Sequence, residues 1–494
     1  MIDFAARHRV VLTALGLWLL FSLVFQASAG LRASWGARIT GDEPFYLMAT
    51  HSLLSDGDLD LRDEYRDRSY REFYDHPSPL WHQSEKTADG RELSPHQVGL
   101  SVLVLPAYAV AGLDGVKAFL GVIGGLTVAF TFVLALRITG RFREALAGAT
   151  VFGVSAPIFV FSTQIYPEMP AALLLVAAMT LLAGKDRPGA AAVLASGAAA
   201  LGLMWLGVKY APAAAVLAAF AFLRASGPSR VALVALLGIG GAHYIWFHLD
   251  TYGALTPYSV NMYYAGDGTA SVVDEHFAFG NRLYRLLGLW TDRQFGLLRW
   301  APAFAMGLAG AYFALRRRPA AALPLLLTFA GQLAVAAFFT ITMRGWWFPG
   351  RQLVVVLPLV GVFIAAALVE WQRAAYLLAG ALTAYGAAIT VALWRATSAL
   401  EVTLAVNPFE MEWKPFAGVA GLFPLYTSYG PLTLLLTALW AAALGALLWL
   451  AWRTVPPSAA GMTSWLLDRT RLRHALARPG PSVRSSTEGS GIGG

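Results

Sequence analysis

Long apolar runs separated by short polar turns fill most of the chain. The run at 10–28 carries no charge and is long enough for a helix to cross ~30 Å of hydrocarbon. Comparable runs predict spans at 116–136, 145–162, 169–184, 189–207, 211–223 and 231–249. Others are predicted ahead of Arg316 and at 323–341, 353–369, 374–394 and 425–452. In lipid every backbone group must be satisfied within the span, so uncharged runs of this length predict helices. The expected fold is therefore an all-α polytopic membrane protein of about 12 spans. The run at 98–112 is different: about 15 residues with Pro106 inside is short for a span, and predicts an interfacial or re-entrant helix.

The positions of Lys and Arg orient these spans, because positive charges collect in short cytoplasmic loops. If 98–112 does not cross, then Arg137, Arg141 and Arg143, Lys185 and Arg187, Arg224 and Arg230, Arg316–Arg318 and Arg373 all fall on one side. That side is predicted to be cytoplasmic and to hold both termini, in a multi-pass protein of the plasma (inner) membrane. Three polar loops at 31–97, 250–295 and 395–424 then lie outside. Residues 1–452 form the membrane domain, and 453–494 form a basic, Gly- and Ser-rich cytoplasmic tail, partly disordered. Ala27, Ser28 and Ala29 also fit a signal-peptide cleavage site, but the apolar run exceeds the usual ~7 to 15 residue core, which favours a retained span.

Composition narrows the class further. With 57% hydrophobic and 13% charged residues and a mean hydropathy of +0.57, a soluble domain is excluded. The absence of cysteine excludes a disulfide scaffold. The net charge of +8 is accounted for by cytoplasmic loops and the tail, so it does not indicate nucleic acid. No internal repeat pairs the two halves, as it does in many transporters.

Candidate chemistry concentrates at the outer boundaries. The first outer loop opens with Gly41, Asp42, Glu43, Pro44 and Phe45. Asp42 can cap a helix that has Pro44 in its first turn, but capping leaves Glu43 unused. Two adjacent carboxylates beside a bilayer can instead supply a general base and a metal or structural ligand. Glu168, at a helix start, can serve the helix dipole, a metal or a substrate. Arg351, Lys209 and Arg344 are boundary cations, whose ordinary role is to reach lipid headgroups; Tyr210 follows Lys209. The run from Asp56 to Glu64 has the acids of a calcium loop without its glycine, and reads as a solvated connector. Asp292, Arg293 and Gln294, just before a span, fit substrate contact and an internal ion pair equally well. The aromatics of the second outer loop, Tyr263, Tyr264 and Trp290 among them, read as an interfacial belt.

The Gly41–Phe45 motif, the SPHQVG stretch at 94–99, YPEMPAALL at 166–174 and PGRQLVVVLP at 349–358 occur in an order that resembles the GT-C membrane glycosyltransferases. That superfamily includes protein O-mannosyltransferases and lipid A aminoarabinose transferases. The resemblance implies a sugar donor on a polyprenyl phosphate and a lipid, glycan or protein acceptor at the outer face of the bilayer. It also implies that Asp42 is the base, with Glu43 beside it. A sugar phosphate already carries a good leaving group, so an inverting transfer needs one base and positive charge for the departing phosphate. Arg351 is the first candidate for that charge, with Lys209, Arg344, Tyr210 and Glu168 as further donor contacts. Some members use a metal, which here would be Mg²⁺, Mn²⁺ or Zn²⁺ held by His96 with Asp42, Glu43 or Glu168; His76 and His82 are alternatives. A transporter or flippase of lipid-linked sugars is the competing expectation. It would place its functional charges near the bilayer midplane, whereas the acids here gather at outer boundaries.

Overall fold

The computed structural model describes residues 2–84, 86–183, 188–260, 279–340 and 342–455. Among these, regular structure is helical, and β pairing is confined to one isolated bridge between Lys86 and Glu92. Lys185, Arg187, Tyr263, Tyr264 and the tail beyond 455 lie outside the described residues.

The chain begins with α1 (Ile2–Ala29) and crosses a polar loop that holds α2 (Glu43–Ser55) and α3 (Arg62–Arg66). It then enters α4 (Gly99–Thr139), followed by α5 (Phe142–Gly153), α6 (Ala156–Phe161), α7 (Glu168–Leu182), α8 (Ala190–Leu206), α9 (Ala211–Arg224) and α10 (Gly227–Tyr252). The second half contains α11 (Arg285–Thr291), α12 (Leu297–Trp300), α13 (Met306–Arg317), α14 (Pro319–Ala334), α15 (Leu357–Ser398), α16 (Lys414–Gly418) and α17 (Pro431–Thr454).

The chain is a multi-pass membrane protein: among the described residues, 6 helices are long and apolar enough to cross a bilayer. The all-α polytopic fold is as expected, while the long apolar helices among the described residues are fewer than the roughly 12 spans predicted. Two of the long helices are broken, and several predicted spans fall on shorter apolar helices such as α7 and α8. α4 breaks at Ala111 and Gly112, which sets the piece carrying Pro106 apart from the longer run that follows. α15 breaks at Gln372, whose φ of 48° is rare for a side chain with a Cβ, beside Arg373 where two spans were expected to turn. The span expected at 145–162 is interrupted at Val154 and Ser155, because Ser155 is extended and Pro157 starts a new helix.

Burial separates core from periphery. The most apolar window of the helix containing α15 is 94% buried, against 11% for α17, so α15 is central and α17 faces lipid. α4 packs on α1, α5 and α7, and α15 packs on α5 and α13. Where α13 crosses α15, a Cβ at Gly310 would overlap the Phe363 carbonyl. Close backbone approach through small residues is the usual way membrane helices gain packing energy. The loop after α15 returns to the loop after α1 through Leu404 and Ala405, whose N–H groups donate to the carbonyls of Arg32 and Ala33, both at 3.0 Å.

Gly310→Ala is expected to cost about 1–3 kcal/mol by overpacking this crossing. Gly238→Ala, on α10 with open space around the new Cβ, should be neutral or stabilising. Thermal unfolding of the two variants in detergent checks the contrast.

Candidate active site

Two turns with glycine in the left-handed region deliver opposite charges to one place. Gly41 has φ +61°, and a Cβ there would lie 2.8 Å from both the Trp346 carbonyl and the Tyr166 hydroxyl. Gly350 has φ +89° and precedes the helical turn Arg351–Val356 that leads into α15. Only glycine holds such turns without strain. Asp42 follows the first and Arg351 the second, and they form an ion pair of 2.8 Å between Asp42 Oδ2 and Arg351 Nη1. Asp42 does occupy the N-cap position of α2, but its side chain makes no capping hydrogen bond. The expected structural use of this carboxylate is therefore absent.

Glu168, at the start of α7, closes the network. Its Oε1 accepts from Arg351 Nε at 2.9 Å and from Lys209 Nζ at 2.6 Å. The guanidinium of Arg351 also lies over the rings of Tyr166, 3.8 Å to the centroid, and Trp347, 4.8 Å. Arg351 and Glu168 are 5% and 1% exposed, while Asp42 and Lys209 are 19% and 23% exposed, so the network has a buried inner half and a more open outer half. Two acids and two bases balance in charge, as a buried cluster requires.

Burial alone would raise the Asp42 carboxyl, but the adjacent Arg351 guanidinium outweighs it and holds the group at about 2. His96 stands 3.9 Å from Asp42 Oδ1, and its Nε2–H donates to Gln83 Oε1 at 2.7 Å. Burial lowers the imidazole to about 4 despite the nearby carboxylate, so it is neutral at pH 7. Its ring packs against Tyr46, with centroids 4.8 Å apart. Tyr210 is fully buried beside Lys209, and its hydroxyl has no hydrogen-bond partner; nor does Glu168 Oε2. Buried groups left open in this way are uncommon and ask for a reason.

Glu43 does not share the chemistry of its neighbour. Fully buried, it accepts from the Thr40 N–H at 3.0 Å and the Ile165 N–H at 2.9 Å, tying the Gly41 turn to the segment before α7. Burial raises its carboxyl above the usual range, against the opposing pull of Lys117 and these two donors. Arg344 is likewise elsewhere, paired with Asp292 Oδ2 at 3.0 Å. Asp292 also accepts the N–H groups of Gln294, Phe295 and Tyr426, so it ties the segment at 292–295 to the loop before α17.

The residues around His96 do not suit a divalent metal. The carboxylates that would serve as ligands, Asp42 and Glu168, are already engaged by Arg351 and Lys209, and a dication between them would face both cations. Glu43 is turned toward backbone donors. His76 and His82 lie elsewhere: His76 Nδ1 accepts the Ser78 N–H, and His82 Nδ1 pairs with Glu92. Sequence reasoning did not find Tyr166 or Trp347 as the walls around Arg351, nor Gln83 as the partner of His96. The only local signal was an aromatic next to each charged motif.

No protein-family model and no curated protein matches the chain. Among solved structures it is similar to ArnT from Cupriavidus metallidurans bound to undecaprenyl phosphate, with 14% identity and a TM-score of 0.40, over 91% of this chain and 78% of that one. It is also similar to the Archaeoglobus fulgidus oligosaccharyltransferase in the apo form, with 13% identity and a TM-score of 0.40, over 97% and 61%. For the same enzyme tethered with an acceptor peptide containing the NVT sequon, the values are 14% and 0.39, over 86% and 55%. The chain thus spans less than two thirds of the oligosaccharyltransferase.

Glu43→Ala removes the acceptor of two buried N–H groups and is expected to cost about 2–5 kcal/mol of stability. Glu43→Gln, which keeps one acceptor oxygen, should recover part of that loss in the same thermal-unfolding measurement.

Proposed function

We propose that the chain is a GT-C-like inverting glycosyltransferase that moves a sugar from a polyprenyl-phosphate donor to an acceptor hydroxyl or amine at the outer face of the membrane. The observation that carries this reading is the Asp42–Arg351 pair: a partly open carboxylate bound to a buried arginine that Glu168 holds from behind. The sequence motifs that resemble the superfamily are the same segments that meet here, at Asp42, His96, Glu168 and Arg351.

Three helical segments start at this site, at Glu43, Glu168 and Arg351, and their N-terminal ends favour a negatively charged ligand. The opposite pole is marked by Arg137, which donates to the carbonyls of Thr180 and Ala183 at the end of α7. Arg317 also lies there, paired with Glu370 just before the break in α15. Positive charge at that pole orients it to the cytoplasm and the site to the outside.

In the proposed reaction the acceptor oxygen or nitrogen attacks the anomeric carbon as the bond from that carbon to the phosphate oxygen breaks. Polyprenyl phosphate leaves, the configuration inverts, and the acceptor proton passes to Asp42. A carboxylate at about 2 is a weak base, because Arg351 stabilises its charged form. A donor phosphate that takes the Arg351 guanidinium removes this stabilisation and raises the carboxyl toward its ordinary value, so donor binding activates the base. Glu168 keeps Arg351 and Lys209 in position during the exchange. No step is routed through a metal ion.

Purified wild type and Asp42→Asn, given a mixture of polyprenyl-phosphate sugars and membrane extract as acceptor, are followed by mass spectrometry. Wild type is expected to consume one donor, and Asp42→Asn to turn it over about 10²–10⁴-fold more slowly while still binding it. Unchanged turnover in the variant would remove Asp42 from the mechanism. Binding without consumption in both proteins would make transport the better reading.

A further inference from the structure

We propose that Asp56, Asp63 and Glu64 form a calcium site that pins the far end of α2. One ligand atom from each of the three lies within 4.8 Å of those of the other two. Three carboxylates gathered in one place suit calcium, which takes several protein oxygens, better than magnesium, which keeps most of its waters. An all-oxygen donor set favours these hard cations over zinc.

The second observation is Glu64 itself. Its side chain is 2% exposed, and its Oε2 is buried with no hydrogen-bond partner. The other oxygen, Oε1, lies 3.5 Å from His51 Nδ1. Burial and the neighbouring Asp63 and Asp56 push the Glu64 carboxyl up to about 8, so a cation bound among the three acids takes the place of a proton there. The nearby arginines are committed elsewhere: Arg62 is paired with Asp60 and Arg66 with Asp67. The neighbouring acids are also accounted for. Asp58 Oδ1 accepts from Ser52 Oγ and the Asp60 N–H, and Asp60 Oδ1 accepts the Glu92 N–H. Only the three proposed ligands of this run are left facing one another.

The surroundings suit an ion in two further ways. α2 ends at Ser55 with Asp56 as its C-cap, and the exposed carbonyls of a helix C-terminus favour a cation. Asp63 also lines a cleft of about 750 Å³, with Tyr65 and His82 on its wall, which gives the ion a path from solvent. The sequence treats this run as a solvated connector because position six of an EF-hand would be Leu61 instead of glycine. The fold avoids that requirement, since the ligands come from the end of one helix and the start of the next. The two ends of α2 then carry different duties: the N-terminus presents Asp42, and the C-terminus is fixed by the ion.

The full chain in detergent, stripped with EDTA, is titrated with calcium chloride by isothermal calorimetry, and its thermal midpoint is measured in parallel. Wild type is expected to bind one calcium ion per chain and to unfold at a higher temperature when calcium is present. Asp63→Asn, and independently the exposed-site variant Asp56→Asn, should bind at least about tenfold more weakly. Asp67→Asn, which removes an acid outside the trio, should bind as wild type does. Absence of saturable calcium binding in wild type, or unchanged binding in both ligand variants, overturns the proposal. Magnesium binding as tight as calcium overturns the assignment of the ion.

Discussion

The arrangement depends on one buried arginine. Arg351 holds Asp42 with one nitrogen and Glu168 with another, and is enclosed by Tyr166 and Trp347. Removing it would leave two carboxylates in a poorly hydrated space with Lys209 as their nearest cation, and breaking a buried pair in this way is far more costly than forming it is favourable. A charge network of this kind is weak evidence for stability as such. In the proposed reaction its value lies in having a replaceable partner: an incoming phosphate takes the place of Asp42 on Arg351 without leaving Arg351 unpaired.

The rest of the site serves that exchange. Glu43 spends its carboxylate on two backbone donors, so the Gly41 turn cannot drift relative to the start of α7. Gly41 packs so tightly under Trp346 and Tyr166 that the loop containing Arg351 is held against the first outer loop. His96 stays neutral and fixed by Gln83, which keeps a second positive charge away from Asp42. Two adjacent acids with the same intrinsic chemistry thus have separate duties because one faces N–H groups and the other faces a guanidinium.

Much of this was legible in the sequence. Uncharged runs pointed to the helical membrane class, and the charged residues at loop boundaries drew attention to Asp42, Glu168 and Arg351. The breaks at Ala111–Gly112 and Gln372 fall at the boundaries that the apolar runs predict, whereas the interruption of 145–162 at Ser155 was hidden because hydropathy does not register it. The separate roles of Asp42 and Glu43 were also hidden. They depend on Thr40, Ile165 and Arg351, the last two more than 100 residues away in sequence. Arg344 stood behind Arg351 as a further boundary cation, and only the fold shows that Asp292 claims it. The acids at 56–64 read as solvated because exposure of a charged run is the usual case, while burial of Glu64 is a consequence of how α2, α3 and the following loop close on one another.

The central claim is that Asp42 and a donor phosphate compete for Arg351. Equilibrium binding of a polyprenyl phosphate to wild type, Asp42→Asn and Arg351→Gln in detergent tests it without requiring the sugar or the acceptor to be known. If the exchange occurs, Asp42→Asn binds the lipid phosphate more tightly than wild type, by roughly tenfold for each 1.4 kcal/mol of released pairing, and Arg351→Gln binds it weakly. Equal affinity in wild type and Asp42→Asn, with binding retained in Arg351→Gln, would contradict the account.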